Sequence, residues 1–132
     1  MASLIVLNGP GKNDYYPLGR RTTVIGRNES LMIQILDDRV SRKHLQIFYD
    51  SNKDAYYALD MSSRHGVYIN GNKIIGETRL ADGDEITIGT TNLWFTVNDF
   101  PDRENALSHY KKVGERSRQT YSIEEHRTDE RP

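Results

Sequence analysis

The chain has 132 residues, and its 18 lysines and arginines nearly balance its 19 aspartates and glutamates, for a formal net charge of −1. This length predicts one domain, and the balanced charge argues against wholesale binding to nucleic acid or to an acidic membrane, because both favour a strongly basic protein. The absence of cysteine excludes disulfides, a thiol nucleophile and any cysteine-containing zinc site.

Most of the first hundred residues have the composition of short β-strands separated by turns. The predicted strands are, in chain order, Ser3–Leu7, Tyr15–Leu18, Thr22–Ile25, Ile33–Leu36, Leu45–Tyr49, Tyr56–Leu59, Val67–Ile69, Asn72–Ile75, Glu85–Ile88 and Leu93–Val97. Pro17 places the second strand at a sheet edge, and Asn70-Gly71 is a strong hairpin signal. This pattern, without a helical period before Pro101, predicts an all-β fold, an antiparallel β-sandwich of about eleven strands.

The composition changes after residue 100. Apolar residues recur near helical spacing within Asp102–Val113, which predicts one weak helix. Gly114–Pro132 is charged and poor in apolar residues, which is typical of a flexible, disordered tail. We therefore expect a folded domain over residues 1–100 and a charged tail over residues 101–132.

The first residues indicate where the protein resides. Met1–Gly9 contains a short apolar run without a basic leader or a small-residue cleavage pattern, so a first strand is expected here rather than a signal peptide. No apolar stretch approaches the roughly 18 residues that a membrane-spanning helix requires. We expect a cytoplasmic protein.

Three motifs stand where predicted strands meet turns. They are Ile25-Gly26-Arg27, Val40-Ser41-Arg42-Lys43-His44 and the run from Ser62 to Gly71. Guanidinium groups supply forked donors, a serine hydroxyl supplies one more, and glycine allows backbone N–H groups to approach closely. This combination suits a doubly charged phosphate ester, so the motifs predict a phosphate pocket built on loops.

In order and spacing, these motifs resemble the forkhead-associated (FHA) domain family. The resemblance covers about residues 3–98 and rests on several separated motifs: Gly26-Arg27, Ser41-Arg42-Lys43-His44, Ser63-Arg64-His65-Gly66 and Tyr68-Ile69-Asn70-Gly71. It implies an eleven-stranded β-sandwich that binds phosphothreonine peptides through loops at one end.

The resemblance also implies a role for each matching position that would contact the ligand. Arg27 is expected to pair with the phosphate and Ser41 to donate a hydrogen bond to it. Arg42 lies next to the site and adds positive charge. Arg64 stands just before the family's Asn-Gly position, where a side chain or a backbone group reaches the phosphate.

Four further positions are implied as a scaffold for the loops. His44 is expected to brace the binding loops, and Gly26 allows backbone groups to approach closely. Gly66 permits a tight turn, and Asn70 is expected to order the same loop as Gly66.

His65 is a departure from the family pattern. The family usually has asparagine here, and that asparagine bonds the peptide backbone beside the phosphothreonine. Histidine also donates or accepts a hydrogen bond, with a different reach. His65 is therefore predicted to contact the peptide, and the alternative is a phospho-independent interaction domain on the same fold.

The function implied is that of an adaptor or regulatory module in Ser/Thr kinase signalling. Such a protein binds a phosphothreonine-containing partner, depends on an upstream kinase, and has no catalytic activity, cofactor or metal. A small hydrolase or a lectin is the distant alternative. Ser41, His44 and Asp37 or Asp38 lie within eight residues without a nucleophile elbow. His44 and His65 lack a third ligand at metal-binding spacing.

The tail contains a candidate phosphorylation site. Thr120 is followed three residues later by the apolar Ile123, and domains of this family often read that position. Phosphorylated Thr120 is therefore a candidate ligand for the chain's own pocket, either within one chain or between two chains.

Overall fold

The computed structural model describes residues 1–114 of the chain. The strands of this part are β1 (Ser3–Val6), β2 (Tyr15–Pro17), β3 (Thr23–Gly26), β4 (Ile33–Gln34), β5 (Leu45–Asp50), β6 (Ala55–Asp60), β7 (Val67–Ile69), β8 (Asn72–Lys73), β9 (Thr78–Arg79), β10 (Glu85–Ile88) and β11 (Thr91–Thr96). A helix, α1, follows over residues 103–114.

The strands form two sheets that enclose one core. The first sheet has the order β2-β1-β11-β10-β7-β8 and the second the order β4-β3-β5-β6-β9. The first and last strands are neighbours, with Ser3 opposite Thr96. The eleven-stranded sandwich that the sequence predicts is therefore present in the described part of the chain.

One pairing differs from the predicted antiparallel arrangement. β3 and β4 run parallel, with Ile25 opposite Ile33 and Gly26 opposite Gln34. The chain leaves β3 through the loop at residues 27–32 and returns in the same direction, so no hairpin joins these two strands. β4 is consequently a short edge strand, and the loop before it lies at the end of the sandwich.

Alternating apolar residues from the two sheets fill the space between them. Leu45 and Ile47 from β5 pack there with Leu4, Ile25 and Phe95, and all five are almost completely buried. This packing explains the period of two in the sequence, because alternate side chains of a strand point to opposite faces.

Two strands are buried on both faces. Leu4 of β1 and Phe95 of β11 belong to the core between the sheets, whereas Ile5 and Trp94 belong to a second apolar cluster. A strand that is buried on both faces has apolar residues at successive positions instead of alternating ones. In β1 and β11, one face packs in the core between the sheets and the other packs against α1.

Helix α1 packs its apolar side on this second cluster. Asp102 caps its first turn by accepting a hydrogen bond from the Asn105 N–H at 2.9 Å. Ala106 is fully buried against Ile5 and Trp94, and the Tyr110 ring meets Trp94 edge-on at 4.9 Å. The predicted helix is confirmed. Among residues 1–114, no helix has the length and apolar content to cross a membrane.

Two further predictions concern the C-terminal segment: a disordered tail and a domain boundary near residue 100. Of the stretch expected to be disordered, Gly114–Pro132, only Gly114 is described, and it is helical. Residues 115–132 lie outside the described residues. The boundary proposed near residue 100 stays a prediction.

All ten predicted strands are present with small shifts at their ends. β4 and β8 contain only two residues each, shorter than the predicted Ile33–Leu36 and Asn72–Ile75. β9 (Thr78–Arg79) was not predicted. A strand of two residues contains a single alternation, which is too little pattern to recognise.

Candidate functional site

Three loops meet at one end of the sandwich. They are the loop after β3, the segment between β4 and β5, and the loop between β6 and β7. The Arg27 N–H donates to the Ser41 carbonyl at 3.0 Å, and the Asn28 N–H donates to the Arg42 carbonyl at 3.2 Å. Backbone hydrogen bonds thus fix the first loop against the second.

Gly26 is required for this close approach. A β-carbon at this position would overlap the carbonyl oxygen of Arg42 and lie 2.8 Å from the carbonyl oxygen of Ser41. Both are backbone atoms, which cannot move aside as a flexible side chain can. Gly26 therefore lets the first two loops touch, and it places the Arg27 backbone against Ser41.

The Arg27 side chain is held at its base and free at its tip. Its Nε donates to the Val40 carbonyl at 2.9 Å, and the residue is exposed. Within residues 1–114, its terminal amino groups form no hydrogen bond, and no carboxylate lies within ion-pair distance. Arg27 thus presents an oriented pair of donors to an incoming anion.

Ser41 connects all three loops. Its carbonyl accepts from Arg27, and its Oγ accepts a hydrogen bond from the Arg64 N–H at 3.0 Å. The hydroxyl hydrogen remains free to rotate toward a ligand. The structure therefore brings Arg27, Ser41 and the backbone of Arg64 together, as the motifs predict.

His44 is buried beneath this junction, with no exposed surface. Its Nδ1 accepts from the Ser41 N–H at 2.9 Å, so its Nε2 carries the hydrogen and donates to the Gly66 carbonyl at 2.7 Å. The imidazole is neutral in this arrangement, and it ties the second loop to the third.

These contacts disfavour hydrolase and metal chemistry at His44. Both ring nitrogens are bonded to backbone groups, and the Ser41 hydroxyl bonds to Arg64 instead of the ring. A nucleophile must hydrogen-bond its base, and a metal ligand needs a free ring nitrogen. In residues 1–114, no group of three His, Asp or Glu side chains is placed to hold a metal ion.

The third loop is shaped by its own hydrogen bonds. The Asp60 carboxylate accepts from the Ser63 N–H at 2.9 Å, and the Ser63 Oγ accepts from the Gly66 N–H at 2.9 Å. Gly66 has φ +85°, a conformation that other residues rarely adopt. The motifs gave Ser63 no role, although aspartate and serine are both residues whose side chains bond nearby backbone groups in turns.

The remaining predicted ligand contacts project from the surface of these loops. Arg42, Arg64 and His65 are all exposed. In the described part of the chain, the only ion pair joins the Met1 amino group to Asp99, so Arg42 and Arg64 have no carboxylate partner there. Three arginines of these loops, Arg27, Arg42 and Arg64, thus have no carboxylate within ion-pair distance in the described part of the chain.

Asn70 does not lie in the cluster of three loops. It follows β7, at the opposite end of that strand from Gly66. Its side chain donates to Asp84 at 2.9 Å and accepts from the Glu85 N–H at 2.9 Å. These bonds brace the turn after β7 against β10, and none of them reaches the loop at residues 61–66.

A buried carboxylate, which the sequence motifs did not indicate, fastens the second loop from outside the site. Asp37 accepts hydrogen bonds from the Arg39 N–H at 2.9 Å, from both the N–H and the hydroxyl of Thr90 at 2.8 Å, and from the Thr91 hydroxyl at 2.9 Å. Burial raises the pKa of Asp37, but these hydrogen bonds outweigh burial and lower it from 3.8 to about 2. Asp37 therefore anchors the second loop to the turn between β10 and β11.

The eleven-stranded sandwich with this loop cluster at one end agrees with the family that the sequence motifs indicate. The FHA domain family model matches residues 23–89, just over half of the chain. The chain belongs to the FHA domain family. Thr120, the candidate phosphorylation site, lies outside the described residues.

Two bacterial proteins are similar to this chain in sequence. The chain is 35% identical over 94 residues to the oxoglutarate dehydrogenase inhibitor of Corynebacterium jeikeium, covering 71% of this chain and 63% of that protein. It is 32% identical to the glycogen accumulation regulator GarA of Mycobacterium tuberculosis, covering 71% and 56%. The chain thus spans less than two thirds of the length of these curated relatives.

A solved structure shows the same architecture. A domain solved in a structural and functional analysis of phosphothreonine-dependent FHA domain interactions superimposes with a TM-score of 0.65 at 28% identity. The match covers 75% of this chain and 98% of that domain. The sandwich is thus an FHA fold over most of its length.

Proposed function

We propose that this chain binds phosphothreonine peptides and acts as a non-catalytic adaptor or regulator downstream of a Ser/Thr kinase. The observation that carries this proposal is the junction at Ser41, where the Arg27 backbone and the Arg64 N–H converge beside a free guanidinium tip. The FHA domain that is similar in structure comes from a study of phosphothreonine-dependent FHA domain interactions.

The charge of the ligand explains how such a site would recognise it. A phosphothreonine carries about −1.5 to −2 charges and three acceptor oxygens, which unmodified threonine lacks. Arg27 would pair with the phosphate through its terminal amino groups, and Ser41 would donate its hydroxyl hydrogen. Arg42 and Arg64 would add positive charge at the rim, and His65 would bond the peptide backbone.

The scaffold residues would act by holding these donors in place before the peptide arrives. His44 joins the second and third loops, and Gly26 joins the first and second. Donors that are already oriented lose little conformational entropy on binding, so more of the interaction energy appears as affinity.

The names of the relatives and the hydrogen bonds of His44 support a non-catalytic role. The relatives are named as an inhibitor and as a regulator. Both ring nitrogens of His44 are bonded to backbone groups, so His44 cannot act as a base for Ser41. The partner of this chain would therefore be a protein phosphorylated on threonine, and the kinase that modifies it would control the interaction. We place this interaction in the cytoplasm.

The direct test is fluorescence anisotropy with degenerate phosphothreonine, phosphoserine and unphosphorylated peptide libraries. Each charge-assisted hydrogen bond contributes roughly 1.5–3 kcal/mol, so Arg27→Ala should weaken phosphothreonine binding by about one to two decades. Arg79→Ala removes an exposed arginine from β9 and serves as the charge-matched control. Unchanged binding by Arg27→Ala would refute the assignment of the pocket.

His65 motivates the second candidate, a phospho-independent interaction. Its side chain is exposed and makes no hydrogen bond within residues 1–114. If the phosphopeptide assignment holds, His65→Asn should keep or strengthen binding, because asparagine is the usual residue there. If instead partner binding survives phosphatase treatment and is lost in His65→Asn, the phospho-independent candidate is correct.

We also propose that phosphorylated Thr120 docks into the same pocket, within one chain or between two. The support is the apolar Ile123 three residues after Thr120. After kinase treatment, the full chain should lose affinity for a phosphothreonine peptide or increase in molecular mass, and Thr120→Ala should prevent both changes. Thr128→Ala is the matched control. If kinase-treated wild-type and Thr120→Ala chains behave alike, docking of the tail does not occur.

A further inference from the structure

Lys73 lies directly beside the third loop of the site, although it comes from a different element. A β-carbon built on Gly66 would come within 2.9 Å of the Lys73 Cε and 3.7 Å of its Nζ. The aliphatic stem of Lys73 therefore covers Gly66, and the Lys73 ammonium group lies beside Gly66, next to His65.

The register of the first sheet produces this position. Lys73 is opposite Tyr68, and β8 is the outermost strand of its sheet. The side chains of Tyr68 and Lys73 share one face of the sheet. Gly66 stands just before β7, and the distances above place the Lys73 stem over it. With no side chain of its own, Gly66 leaves room there for the stem of Lys73.

The ammonium group is not engaged elsewhere in the described part of the chain. Lys73 is exposed, and none of the carboxylates among residues 1–114 lies within 4.0 Å of its Nζ. A lysine can cover apolar surface with its stem while its charged end stays in water. Packing on Gly66 explains the position of the stem but assigns no partner to the charge.

We propose that Lys73 reads an acidic residue flanking the phosphothreonine, so that the preferred ligands are phosphothreonine peptides with a neighbouring glutamate or aspartate. This inference rests on the proposed function, because His65 and Gly66 form the side of the loop along which the peptide backbone would run. A peptide side chain that passes Gly66 would come within reach of the Lys73 ammonium group, which lies 3.7 Å from the position of a β-carbon on Gly66. An opposite charge there gains an ion pair, and a lysine is repelled.

The test uses alanine-based phosphothreonine peptides in which one glutamate is moved through each position on either side of the phosphothreonine, with glutamine and lysine at the same positions. Wild-type protein should bind the glutamate peptide roughly two- to fivefold more tightly than the glutamine peptide at one position or two adjacent positions, which is the range of an exposed ion pair.

Three variants separate charge from packing. Lys73→Met keeps a stem of similar length over Gly66 and should abolish the glutamate preference. Lys73→Glu should reverse it, so that lysine becomes the favoured residue at that position. Lys53→Glu makes the same charge change in the turn between β5 and β6 and should leave the wild-type profile unchanged.

The outcomes distinguish this inference from the function on which it rests. A profile that is flat, or that persists in Lys73→Met and Lys73→Glu, overturns the role of Lys73 while Arg27-dependent binding of the neutral phosphopeptide still stands. If neither the neutral phosphopeptide nor the phosphothreonine library binds to folded protein, both proposals are overturned.

Discussion

The loop end of the sandwich and the face beneath α1 are built from different interactions. At the loop end, hydrogen bonds connect Ser41, His44 and Gly66, and charged side chains extend freely into solvent. Beneath α1, Trp94 and Tyr110 pack through their rings, with Ala106 fully buried. In the first region hydrogen bonds fix the loop backbones from which the charged side chains project, whereas the second region removes apolar surface from water.

This difference indicates how the molecule separates recognition from stability. Hydrogen bonds are directional and fix the spacing of groups, but each contributes only about 1 kcal/mol net. Apolar burial has little directionality and contributes about 25 cal/mol for each Å² removed from water. Substitutions at the loop end should therefore change peptide affinity first, and substitutions beneath α1 should change only the free energy of unfolding.

Gly26→Ala should have the largest effect and should damage both properties. The new methyl group would overlap the Arg42 carbonyl, so the first two loops must separate or β3 must shift. We expect a loss of more than about 3 kcal/mol in the free energy of unfolding, together with loss of phosphopeptide binding. Urea denaturation and anisotropy measure the two effects. Gly71→Ala is the control for backbone strain without overlap: its added methyl group meets no atom within 4 Å, but φ is +85° there, so it should lower the free energy of unfolding less than Gly26→Ala and leave peptide affinity unchanged. Wild-type affinity in Gly26→Ala would contradict the close approach.

Trp94→Ala should separate stability from affinity. Removing this side chain opens a cavity between Ile5 and α1 and should lower the free energy of unfolding by about 3 kcal/mol. At temperatures where the variant is folded, its affinity for a phosphothreonine peptide should equal that of wild type. Phe48→Ala, which removes a half-buried ring from the other sheet, should cost less. A large loss of affinity in folded Trp94→Ala would show that the two regions are coupled.

Asp37 should make the stability of the loop end depend on acid pH, with the smallest effect of the three. Hydrogen bonds lower the pKa of Asp37 to about 2, below the ordinary value of 3.8. Its contribution is therefore complete above about pH 4 and is lost as the pH falls through 2, a difference of roughly 2 kcal/mol. Urea denaturation across this range should show a weaker pH dependence in Asp37→Asn than in Asp38→Asn. Equal pH profiles for the two variants would contradict the assignment.

Most of the fold could be predicted from the sequence, because strand periodicity and turn residues are local signals. Leu45 and Ile47 alternate with half-buried neighbours, and Asn70-Gly71 marks a hairpin, so these elements were predictable. The parallel pairing of β3 with β4 was not, since a pairing partner is a property of the whole chain. β9 was too short to carry a pattern.

The site was predictable where its residues form compact motifs. Arg27, Ser41 and Arg64 are brought together by hydrogen bonds, as the motifs indicate. The anchoring bonds of Asp37 were missed because its partner Thr90 is distant in the sequence. The contact between Lys73 and Gly66 was missed because the two residues belong to different elements. Asn70 belongs to a recognisable motif, yet its contacts depend on Asp84 and Glu85, which no local pattern connects to it.

The pairing of the first strand with the last has a consequence for how the protein folds in the cell. Ser3 is opposite Thr96, so about ninety residues of chain must be made before β1 acquires this neighbour. At roughly 5–20 residues per second, the ribosome needs roughly 5 to 20 s to supply them. During that time, the apolar Leu4, Ile5 and Val6 have neither β11 nor α1 to cover them. Closure of the sandwich around β1 is therefore a late, non-local event, and until β11 emerges the nascent chain exposes an unpaired apolar strand.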